Sequence, residues 1–216
     1  MALSNYSELQ SAVADWLERG DLTARIPDFI RLAEVQLNRL LRTNPQKLRA
    51  TAMISDPFSA IPSDHLETLA ITLSDGSSQW DLKPASLEQL AASAAEHPGT
   101  GKPRFWSQVG EQFQYFPAPD QAYTATLTYV RGLPALTDSN TTNWLLTRFP
   151  DAYLFGALKE AGPFLRDNDL ASMFEAKFQA AAQDIVSSER KVVGTLRAEP
   201  ALTAIGGGAF DINTGR

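Results

Sequence analysis

Apolar positions recur along the chain with two different periods, and the changes of period divide it into three parts. From Tyr6 to Arg42 the period is helical: Tyr6, Leu9, Val13, Trp16 and Leu17 follow one another at steps of three and four or close to them, and a second run begins after the turn ERGD. Pro27 stands where a first helical turn tolerates it, and Asp28 complements the positive end of that helix. At about 100° per residue, Phe29, Ile30, Ala33, Leu37, Leu40 and Leu41 share one face of the second helix, with Arg31, Asn38, Arg39 and Arg42 on the other. The pattern predicts an amphipathic helix with a basic outer side.

Between Lys47 and Val130 the pattern shortens to runs rich in Thr, Val, Ile and aromatics: LRATAMIS, LETLAITL, FWSQV, FQYFP and YTATLTYV. Turn-forming stretches such as SDGSS, HPGTGKP and PAPDQ separate them, and only PASLEQLAASAA reads as a helix. The connections look too short for parallel crossovers, so an antiparallel sheet or small barrel is expected.

Helical spacing returns from Asn143 to about Lys191. TRFPDAYLFGALKEAGPFLRD, residues 147–167, reads as one helix that is apolar over more than half its circumference. Leu170, Phe174, Phe178, Ala181 and Ile185 form a stripe on the next helix, behind the stop AGP and the cap candidates Asp167 to Asp169. The fold class predicted is α+β. Residues 1–46 and 136–193 form a helical bundle, residues 47–135 an antiparallel β-rich insertion, and residues 194–216 an extended C-terminal arm. Within that arm, Gly206 to Gly208 provide a joint ahead of Phe210 and Ile212, whose alternate spacing suits a strand. Ordering such an arm costs roughly 1 to 2 kcal/mol per residue, so an external surface is expected to hold it.

Composition narrows the functions open to such a fold. A chain of 216 residues, 44% hydrophobic and 20% charged, has the make-up of a soluble globular protein. It has no cysteine, which excludes disulfides, thiolate metal sites and cysteine nucleophiles. The start, MALSNYSELQ, has neither a basic region nor an apolar run, and no segment approaches the roughly 20 apolar residues that span a bilayer. Secretion by signal peptide and membrane insertion are therefore not expected. The net charge of −6 argues against general affinity for nucleic acid through phosphate contacts.

Candidate chemistry fails on spacing. Ser63, Asp64 and His65 have the residue types of a hydrolase triad, but adjacent residues cannot converge as a triad must, and a turn or helix cap explains them. Asp64, His65 and Glu67 lack a second histidine at ligand spacing, since His97 is the only other imidazole. The loop GTGKPRF has Glu96 and Pro103 where a phosphate-binding loop needs glycine and serine or threonine. Catalytic, cofactor and metal residues are therefore expected to be absent. The interaction signals are Phe155, which falls outside the two apolar rows of its helix, and the basic group that includes Arg31, Arg39 and Arg42. That group is either a solvated face or a salt-bridged contact with an acidic neighbour.

The segments YSELQSAVADWLERGDLTARIPDFIRLAEVQLNRLLR, IPSDHLETLAITL and YFPAP, followed by TATLTYVRGLPALTDSNTTNWLLTRFPDAYLFGALKEAGPFLRDND, together carry a resemblance. In this order they resemble the head-to-tail adaptor, or connector, proteins of tailed bacteriophages, over most of the chain to about Ile185. The resemblance implies a structural virion protein without enzymatic activity, made in the bacterial host cytoplasm and located at the head–tail junction. It further implies a homo-oligomeric ring, a dodecamer, docked beneath the capsid portal and presenting a platform to a tail nozzle or tail-tube protein. Double-stranded DNA would pass through the ring. The resemblance leaves the role of the arm open, and it is the spacing of Phe210 and Ile212 that leads us to expect the arm to dock on the portal or on an adjacent subunit. The alternatives are another phage ring component, such as a head-completion or tail-tube protein, or a small hydrolase.

Overall fold

Asn5 starts the first helix by accepting a hydrogen bond from the N–H of Glu8 at 2.9 Å. Helix α1 (Tyr6–Leu17) then ends at Glu18, whose backbone is left-handed with φ 50°. Helix α2 (Ile26–Leu40) carries Pro27 and Asp28 in its first turn, as the sequence predicts. Its inner face is Phe29, Ile30, Ala33 and Leu37, all buried. Leu40, expected on that face, is instead 45% exposed. The helix ends there, and the extended backbone at Leu41 carries that residue into the core in its place. The computed structural model describes residues 3–196, with side chains through Ser188. The arm, with Phe210 and Ile212, lies outside the described residues.

The middle of the chain comprises β1 (Lys47–Ile54), β2 (Phe58–Ala60), β3 (His65–Ser74), β4 (Gln79–Asp81), β5 (Lys83–Pro84), α3 (Leu87–Glu96), β6 (Thr100–Gly101), β7 (Phe105–Val109), β8 (Gln112–Phe116), β9 (Ala118–Pro119) and β10 (Tyr123–Arg131). One sheet has the order β1-β10-β3-β4 and a second β2-β8-β7-β5, with β6 and β9 forming a small third pair. Ile71, Leu73, Tyr123 and Leu127 from the first sheet share a core with Phe113 and Tyr115 from the second. The sheets remain separate, so the module is not a barrel. Two short pairs, β5 with β7 and β6 with β9, are parallel, against expectation. The segment holding α3 is long enough to carry the chain from β5 to β7 in the same direction.

Three helices complete the fold: α4 (Trp144–Arg148), α5 (Pro150–Leu165) and α6 (Asn168–Leu196). The single helix expected over residues 147–167 is therefore broken. Pro150 has no N–H and keeps the residue before it out of the helical region, and Phe149 is non-helical at φ −139° and ψ 62°. The AGP triplet is not a stop either, because α5 runs through Pro163 to Leu165. Pro163 lies in the last turn, where little helix remains to disrupt. The end comes at Arg166 with φ 59°, where the Asp167 N–H closes back on the Gly162 carbonyl at 3.0 Å. Asp167 then caps α6 by accepting from the Leu170 N–H at 2.9 Å.

Both ends of the chain meet in one core, which joins Leu9 and Val13 to Ile30, Leu37, Leu158, Phe178 and Ile185. Gly156 allows the close approach of three helices there. A Cβ on it would lie 2.9 Å from the Ala33 Cβ and 3.1 Å from the Phe178 ring. Leu133 and Leu136, just after the last strand, also pack into this helical core.

Candidate functional site

The residues that had the types for catalysis are occupied with structure. Asp64 accepts a hydrogen bond from the Tyr129 hydroxyl at 3.0 Å, and His65 bonds the Thr68 hydroxyl through Nε2 at 2.8 Å. The His65 ring stacks on Tyr129, and partial burial lowers its pKa. In the glycine and proline loop, the Lys102 ammonium sits 3.5 Å from the centre of the Trp80 ring and 3.7 Å from Asp75. Asp75 accepts from the N–H groups of Ser78 and Ser77, which hold its pKa down at about 2. Among the described residues no group of three or more His, Asp or Glu is placed to hold a metal.

Arg31 and Arg39 lie on the outer side of α2, whereas Arg42, expected on the same helix, stands past its end because the backbone is already extended at Leu41. Arg31 reaches Glu34 at 3.3 Å, and Arg42 pairs with Glu67 of β3 at 2.9 Å, joining bundle to sheet. Arg39 is exposed and makes no ion pair among the described residues. The structure thus gives Arg31 and Arg42 partners within the chain and leaves Arg39 facing outward.

Glu34 was invisible to periodicity, yet it organises this region. Its side chain is only 2% exposed, and it accepts the Leu136 N–H at 2.7 Å as well as the Arg31 guanidinium. Burial pushes its pKa up, against the pull of those two donors. Tyr153 lies beside it, fully buried, and its hydroxyl accepts from the Asn143 amide at 2.6 Å. Asn143 also donates to the Pro134 carbonyl and caps α4 through Leu146, while Asn38 accepts from Leu133 at 2.7 Å. These bonds fasten the segment leaving β10 onto the bundle.

Phe155 occupies the junction of α1, α5 and α6. It stacks on Phe174 with centroids 6.2 Å apart and meets the edge of Trp16 at the same distance, with the Lys177 ammonium 5.3 Å away. Trp16 completes the triad by contacting Phe174 at 5.9 Å, and remains 51% exposed. Met173, next to Phe174 in α6, is 48% exposed. The outward member of this cluster is therefore Trp16, which the sequence pattern placed with the core, and Met173 adds a second exposed apolar side chain on α6. Leu40 faces a separate groove of about 340 Å³ shared with Ala182 and Val186.

Packed helices, a two-sheet module and exposed aromatic side chains such as Trp16 and Phe164 make up this surface, and buried Arg131 Nε and Trp144 Nε1 have no hydrogen-bond partner among the described residues. A sequence profile of the SU10 adaptor protein family matches residues 4–199. The chain belongs to that family. This adaptor is thus a structural head–tail adaptor of a bacteriophage, a class associated with portal and tail components at the head–tail junction, and not a family of enzymes. Among the curated proteins compared with the adaptor, none matches it. No helix among its described residues is long and apolar enough to cross a membrane.

Proposed function

We propose that the adaptor assembles as a homo-oligomeric ring between the capsid portal and a tail nozzle or tail-tube protein, with DNA passing through its channel. The family match over residues 4–199 carries this reading. The ring is dodecameric, as the resemblance implies. Its subunit contacts use the outer side of α2 at Arg31 and Arg39, Arg42 just past its end, and the aromatic cluster around Phe155 with its exposed member Trp16 and the nearby exposed Met173 of α6.

The net charge of −6 supports the passage of DNA without retention, because a channel that neutralised phosphates would release counterions and hold its cargo. Packed helices with exposed aromatic ends suit heterologous contacts that repeat around a closed ring. Deleting the gene from the phage tests the reading. Packaged heads without tails are expected, and purified adaptor added to those heads should restore tail joining. Normal tailed particles from the deletion would refute it.

A further inference from the structure

β1 is the outermost strand of its sheet. β10 pairs with one side of it along all eight residues, and among the described residues the backbone from Leu48 to Ile54 makes no bond on the other side. Alternate residues of an antiparallel strand turn their N–H and C=O groups outward, so β1 presents an open row of donors and acceptors. A long free edge of this kind is a template for another strand. The space between the sheets is also open beside it. Ala50, Ala52, Ala60 and Pro62 line a slot of about 70 Å³ that reaches the buried side chains of Phe113 and Leu127.

The described part of the chain ends in α6, whose direction and end bring the following segment within range of this edge. Helices α2 and α6 both pack on α5 and run in the same direction: Ala33 and Phe178 meet at Gly156, and further on Leu40 shares a groove with Ala182 and Val186. Helix α6 continues to Leu196, about 15 Å beyond Val186 at 1.5 Å per residue, on the side where the chain leaves α2 for β1. Residues 197–216 follow, with a reach of at most about 70 Å. A strand from this segment puts Phe210 and Ile212 on one face and Asp211 on the other. With Phe210 and Ile212 turned to the slot, Asp211 joins the face that carries Arg49, Thr51 and Met53. Arg49 is exposed and makes no ion pair among the described residues, so the charges are complementary.

We infer that the free edge of β1 accepts the C-terminal segment of a second copy of this chain as an added strand, with Phe210 and Ile212 entering the slot. The inference rests on the ring reading. In a closed ring every β1 then has one donor and every segment one acceptor.

The absence of native cysteine makes the test clean. A chain carrying Asp211→Cys is mixed with chains carrying Arg49→Cys, Thr51→Cys or Met53→Cys, because directly paired residues have Cβ atoms only about 4.5 to 5.5 Å apart. A disulfide between singly substituted chains has to be intermolecular. A linked pair is expected at one of the three β1 positions, and adding Phe210→Ser and Ile212→Ser to the Asp211→Cys chain should lower its yield roughly tenfold or more. The inference is overturned if the serine changes leave the yield unaltered, or if linkage occurs only within a chain carrying both cysteines. It is also overturned if no link forms in preparations that native mass spectrometry shows to be rings. If the same measurement finds only monomers, including on portal particles, the ring reading itself fails and the inference falls with it.

Discussion

Gly156→Ala should destabilise the fold by about 1–2 kcal/mol, although an exposed helix site would gain up to about 1 kcal/mol from the same change. The added methyl would stand 2.9 Å from the Ala33 Cβ and 3.1 Å from the Phe178 ring, well inside ordinary contact. Neither neighbour yields easily. Ala33 has no side-chain torsion to turn, and Phe178 is fully buried in the same core. Overpacking of a filled core costs typically about 1–3 kcal/mol, which exceeds the helix gain. Urea unfolding followed by far-ultraviolet circular dichroism gives the difference directly as a lower midpoint at unchanged slope. Ala33→Gly in the Gly156→Ala background should recover part of the loss, as a favourable coupling in a double-mutant cycle. Gly20→Ala provides the contrast, since nothing lies within 4 Å of a Cβ there, and it should be neutral or slightly stabilising. If Gly156→Ala proved as stable as the parent, the close contact of α2, α5 and α6 would be wrong.

Glu34→Gln keeps an acceptor for the Leu136 N–H but removes a carboxyl whose folded pKa is raised by burial. That carboxyl contributes fully below the ordinary glutamate range and loses its contribution as pH rises through the folded value, so the variant should gain on the parent with rising pH. Stability curves that diverge the other way would contradict the buried placement. Asp75 has the opposite sign: its folded pKa of about 2 gives a contribution that is present above its ordinary value and lost as pH falls. Acid titration of Asp75→Asn should show a flatter limb from about pH 4 down to 2, and an unchanged limb would argue against the loop geometry. Met173→Lys alters a half-exposed side chain, so it should change unfolding by no more than about 0.5 kcal/mol yet weaken ring or portal assembly by native mass spectrometry. Undiminished assembly would remove this cluster from the contact surface.

The apolar period made the bundle legible before the structure, because Leu9, Val13, Ile30, Leu37, Phe178 and Ile185 are buried by the same spacing that predicts their helices. The five longer strands were legible for the same reason, as alternating runs between turn residues. Backbone geometry at single positions was not. The break at Phe149 depends on the next residue being Pro150, and the end of α5 depends on the left-handed backbone of Arg166, which no side-chain pattern announces. The partners of polar groups were hidden as well. Arg31 reads as part of a basic outer face and the pattern says nothing of Glu34, yet Arg31 is exposed and pairs with a Glu34 that is buried against a segment about 100 residues away in sequence. Phe155 stood out as an aromatic outside the apolar rows, but only packing shows that Trp16 forms the outward part of its cluster.

The most direct test of the account is single-particle imaging of the adaptor mixed with the purified portal of its own phage. The account predicts a closed ring of subunits with this fold on the tail-facing side of the portal, with a central channel wide enough for double-stranded DNA. Adaptor that stays unbound, or that binds as isolated subunits leaving no continuous channel, would contradict it.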